Sequence, residues 1–101
     1  MIVFCSTTPV YNWHDGAFTV GINLTLDGAK SAALEWAKNN VYNFPHDELY
    51  HLTVGRTTYL YTSEEDRDYD LSYLKEVGED DFFSHAPNDH RFLIEHIELG
   101  H

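Results

Sequence analysis

The chain has 101 residues, 43% of them hydrophobic and 15% aromatic, and a formal net charge of −11 from 17 acidic and 6 basic residues. That length suits one domain, 1–101, with a single core, and the aromatic content belongs to a folded chain rather than a disordered acidic tail. Charge of this sign argues against DNA, RNA or an anionic membrane as direct partners, because phosphates are repelled rather than neutralised.

Met1 to Thr8 reads as a strand whose start, Ile2-Val3-Phe4-Cys5, is apolar enough for a central position. Cys5 is the only cysteine, so no intramolecular disulfide is expected, which fits a reducing cytosol. Pro9 and Asn12-Trp13-His14-Asp15-Gly16 carry turn chemistry, and Phe18 to Leu24 is a second extended segment or an approach to the next helix.

A helix is expected from Thr25 to Asn40. Thr25 can cap it, and Leu26, Ala29, Ala33, Trp36 and Ala37 form one stripe at helical spacing. Gly28 in its first turn weakens the helix and suggests close backbone approach.

Leu49 to Thr62 carries the pattern of a hairpin, because Gly55-Arg56 has the Gly-X chemistry of a two-residue type II′ turn. The implied register sets Val54 against Thr57, Leu52 against Tyr59 and Tyr50 against Tyr61, all on one apolar face. The opposite face is the more polar, so a one-sided antiparallel sheet is expected.

The acidic excess is concentrated next. Glu64 to Asp81 holds nine acids against Arg67 and Lys75. Within it Leu71, Leu74 and Val77 fit a short amphipathic helix capped by Asp70 and ended by Gly78. Arg91 to Leu99 then reads as a strand. Its apolar parity changes between Phe92/Ile94 and Ile97/Leu99, which calls for a bulge near Glu95-His96 or for one of those two facing inward.

The expected fold is α+β: a mainly antiparallel sheet with one principal helix packed on a face, plus a short acidic helix. Its core is expected to include Val3, Phe4, Ala33, Trp36, Leu52, Val54, Tyr59 and Leu93. No basic leader precedes an apolar stretch, and no apolar run approaches the ~18 residues that span a bilayer, so neither secretion nor membrane insertion is expected.

The opening strand, the Gly21-Ile22-Asn23-Leu24-Thr25-Leu26 entry into an alanine-rich helix, and the closing Phe92-Leu93-Ile94-Glu95-His96-Ile97-Glu98-Leu99 strand resemble short uncharacterised bacteriophage proteins. Those are strand–helix–strand modules ending in an IE-x-IEL pattern. The resemblance spans both chain ends. It implies a phage or prophage source and small-protein architecture, and it brings no catalytic residues with it; joined to the reducing-cytosol reading of Cys5, the expected location is the cytoplasm of a host cell.

Two chemical readings compete with plain surface chemistry. His51-Leu52-Thr53-Val54 matches the His-x-Thr-apolar strand motif of two-histidine phosphoesterases, where the histidine moves a proton and the hydroxyl holds a phosphate oxygen. That chemistry needs two such motifs, and His90-Arg91-Phe92 and His96-Ile97-Glu98 lack the hydroxyl. Seven histidines also invite a metal reading, with His85, Asp89 and His90 in one loop and His46-Asp47 nearby in sequence, but the spacing fits no zinc pattern. No phosphate loop or serine elbow is present, and no cofactor or metal is expected.

The leading expectation is therefore a small non-enzymatic binding protein that inhibits or modulates a host protein with a basic, nucleic-acid-binding surface, such as a defence nuclease or CRISPR effector. Its expected contact residues are Glu64, Glu65, Asp66, Asp68, Asp70, Glu79, Asp80 and Asp81. A small phosphodiester- or nucleotide-acting enzyme using His51 and Thr53 is the alternative.

Overall fold

The computed structural model describes residues 1–8, 19–85 and 92–100. The elements run β1 (Ile2–Thr7), β2 (Thr19–Asn23), α1 (Leu26–Asn40), β3 (Tyr50–Val54), β4 (Thr57–Tyr61), α2 (Glu64–Val77), α3 (Glu79–His85) and β5 (Leu93–Glu98). The strands form one sheet in the order β2-β1-β5-β4-β3, with every neighbouring pair antiparallel. The architecture is α+β, and β1 lies inside the sheet, as its apolar start requires.

Helix α1 starts where the sequence places it. Thr25 is extended and its side chain accepts from the Gly28 N–H at 3.0 Å. A Cβ on Gly28 would stand 3.0 Å from Asn23 Oδ1 and from Thr25 Oγ1, so the missing side chain makes room for the cap itself. Ala29, Ala33 and Ala37 are wholly buried and let the helix lie close to the sheet. Close approach also brings Ser6 Oγ of β1 to donate to the Ala29 carbonyl at 2.7 Å. Trp36 is half-buried, edge-on to Phe92 at 5.9 Å between ring centroids.

The β3–β4 hairpin has the expected register, with Tyr50 against Tyr61, Leu52 against Tyr59 and Val54 against Thr57. Gly55 has φ +63° while Arg56 does not have a positive φ, the combination a type II′ turn requires. The expected one-sidedness is not observed. Leu52, Val54, Tyr59 and Tyr61 pack with Phe82 under α2 and α3, while Leu49 and Leu60 pack with the α1 alanines, Phe92 and Ile94 on the other face. Thr58, which alternation places on the face expected to be the more polar, is fully buried as well. Burying a side chain the size of Phe82 contributes roughly 1.5–3 kcal/mol, so this second layer is a real part of the core.

Of the expected core, Val3, Ala33, Leu52, Val54 and Tyr59 are buried, whereas Phe4, Trp36 and Leu93 are half-buried at its margins. Strand β5 pairs with β1 without a register shift, so no bulge sits at Glu95-His96. His96 instead stands edge-on to Phe4 at 4.7 Å, and Ile97 lies on the other side of the strand. The irregularity falls between Ser6 and Thr7, where β1 meets β2. Among the described residues no helix is long and apolar enough to cross a membrane.

Candidate protein-binding surface

The acidic segment builds two consecutive helices rather than one short one. Ser63 is extended and accepts from the Asp66 N–H at 3.4 Å, so α2 begins six residues before Asp70, the expected cap. Glu64, Glu65 and Asp66 occupy its first turn, where the helix dipole favours carboxylates. Gly78, at φ +87°, donates to the Leu74 carbonyl at 2.9 Å and ends α2. Its own carbonyl accepts from the Phe82 N–H at 2.9 Å, which starts α3 with Glu79, Asp80 and Asp81 in the first turn. One glycine thus ends the first acidic helix and starts the second.

Glu64, Glu65, Asp66, Asp68, Glu79, Asp80 and Asp81 are all exposed. Glu76 joins them on the surface. The layer beneath is anchored by Phe82, which is 1% exposed and stands edge-on to Tyr59 at 5.7 Å. Tyr69 is exposed among these acids. Helix-dipole stabilisation accounts for the six first-turn acids, each worth about 0.3–1 kcal/mol, but not for Asp68 or Glu76. Asp68 accepts from Arg67 Nε at 2.8 Å.

Asp70 does not belong to this surface. It is 7% exposed and its Oδ2 accepts from the Tyr61 hydroxyl at 2.6 Å. The expectation of a contact role for Asp70 is therefore corrected: its carboxylate points into the α2–sheet junction. The signal was present in the spacing, since Asp70, Leu74 and Val77 fall at i, i+4 and i+7 on one helix stripe.

His51 and Thr53 are placed by β3. The Lys30 ammonium of α1 donates to His51 Nδ1 at 3.2 Å, leaving the neutral ring protonated on Nε2. Burial, then the charges of Lys30 and Arg67, hold the imidazole below its ordinary titration range, against an opposing pull from Asp27. Thr53 turns to another histidine. Its Oγ1 lies 2.8 Å from Thr58 Oγ1, which lies 3.0 Å from His96 Nε2. His51 pairs with Leu60, whereas the His96 N–H reaches the Arg56 carbonyl, four residues along and one strand further across. Strand spacings put the Cα positions of the two histidines about 16 Å apart, and their rings take different partners, His51 the Lys30 ammonium and His96 the Thr58 hydroxyl.

A surface cleft of about 210 Å³ beside Lys30 is lined by Asp27, Ser31, Leu34, Asp47, Glu48 and Leu49. Asp47 bridges to Lys38 at 3.0 Å, and His46 stands edge-on to Phe44. The side chains of His85, Asp89 and His90, named for a metal, lie outside the described residues. Among the described residues no group of three or more His, Cys, Asp or Glu gathers to hold a metal ion. No family model, curated protein or solved structure matches this chain.

Proposed function

We propose that this is a phage-encoded binding protein whose α2–α3 acids occupy a basic, nucleic-acid-binding site on a host protein. The observation that supports this reading is the exposure of eight carboxylates on two consecutive helices seated on a packed aromatic layer. A duplex presents one negative charge per ~1.7 Å of axis, so a groove lined with Lys and Arg attracts a rigid acidic ridge by the same field. Rigidity matters, because a backbone already ordered in helices loses less freedom on binding. Tyr69, exposed among the acids, offers a ring face to an arginine.

Affinity capture from bacterial lysate tests the reading. The expected result is a nucleic-acid-binding protein that is retained at low salt, lost at higher salt, and displaced by DNA. Capture of no such protein, or capture unaffected by neutralising Glu65, Asp66 and Asp80, overturns it.

A further inference from the structure

His51 stands where three elements meet. Its ring accepts from Lys30 of α1, and its main-chain carbonyl accepts from Arg67 Nη1 of α2 at 3.2 Å. Strand β3 is an edge of the sheet, so that carbonyl points away from β4 and finds its partner in the helix above. Arg67 in turn holds Asp68. The charged groups that act on the ring are Lys30 and Asp27 from α1 and Arg67 from α2, while its cross-strand neighbour, Leu60, is uncharged. Asp47 and Glu48 line the cleft that Asp27 and Lys30 also line.

We propose that His51 is a proton-sensitive latch: neutral, it ties α1 and α2 to β3; protonated, it becomes a third cation between Lys30 and Arg67, and the first half of α2 loosens from the sheet edge. Protonation removes the acceptor that Lys30 uses, because both imidazolium nitrogens are donors. Lys30 and Arg67 outweigh Asp27 in the ring's field, so the added charge is not compensated where it sits. The carbonyl can still accept from Arg67, but the guanidinium now faces a like charge on the same residue.

The direction in pH follows. A histidine whose folded-state value lies below the unfolded one, near 6.5, leaves stability intact above that value and removes it as pH falls toward the folded value. Loosening is therefore an acid response. It concerns the helix that carries Glu64, Glu65, Asp66 and Asp68, and it holds whether or not those acids meet a partner.

Two measurements on the full chain test it. Histidine Cε1–H resonances followed from pH 8 to 5 give the titration of His51 itself. It is expected below its ordinary range, and to rise in Lys30→Gln. Amide exchange at residues 64–70, corrected for the intrinsic rate, is expected to lose protection by up to about tenfold per pH unit as the ring titrates. That loss is expected to be absent in His51→Gln and reduced in Lys30→Gln, which keeps the test available if the first variant folds poorly. A His51 that titrates at or above its ordinary value, or an equal acid loss of protection in the variants, overturns the proposal.

Discussion

The Tyr61 hydroxyl donates to Asp70 across 2.6 Å, and both residues are buried between β4 and α2. A carboxylate in that position is tolerated because the bond satisfies it, and the bond fixes how α2 seats on the sheet.

Tyr61→Phe is expected to lower stability by about 1–3 kcal/mol, since it leaves a buried carboxylate oxygen without this donor. Asp70→Asn keeps the shape and loses the charge, so it is expected to cost less. The double variant is expected to cost less than the two single losses together, because both remove one bond. Denaturant midpoints of the four proteins check this, and additive losses would show that the two side chains act separately.

Neutralising exposed acids is expected to separate binding from folding. Glu65→Gln, Asp66→Asn and Asp80→Asn together are expected to weaken partner binding by one to two orders of magnitude, at about 0.2–1 kcal/mol for each exposed pair. The effect is expected mainly in the association rate and to shrink with salt, as screening of long-range steering demands. Melting temperature is expected to fall only slightly, because these residues also sit in first turns that favour carboxylates. Association kinetics at two salt concentrations, with Glu95→Gln as the control, measure it.

Gly55→Ala is expected to destabilise the hairpin by about 1–2 kcal/mol, because φ +63° puts an L side chain in the left-handed region. Its Cβ would also stand 2.8 Å from Glu79 Oε1, so the carboxylate must move aside. Gly55→Asn is expected to cost less of the backbone strain, and thermal melts of both variants compare them.

Arg67→Gln is expected to raise the titration point of His51, because it removes one of the charges that depress it. It is expected to weaken the α2–β3 junction at neutral pH, since the His51 carbonyl loses its charged donor. Resonance titration reports the first effect and amide exchange the second. An unchanged His51 titration would remove Arg67 from the ring's field.

Local chemistry was readable in the chain. Thr25 and the alanine stripe determine where α1 begins and which face it buries, and Gly55-Arg56 with strict alternation determines the hairpin register, because caps, turns and two-residue periodicity act within a few residues. Among the acids, the sequence established abundance and clustering, but Ser63 as a cap was hidden by the charges that follow it. Tertiary structure alone decided that the hairpin is covered on both faces, that Asp70 points inward to Tyr61, and that His51 joins Lys30 while Thr53 joins His96 through Thr58. These depend on which element lies over which, across separations of 5 to 38 residues. A side chain's sequence neighbours determine its periodicity, whereas its burial and its field come from partners that only packing brings within reach.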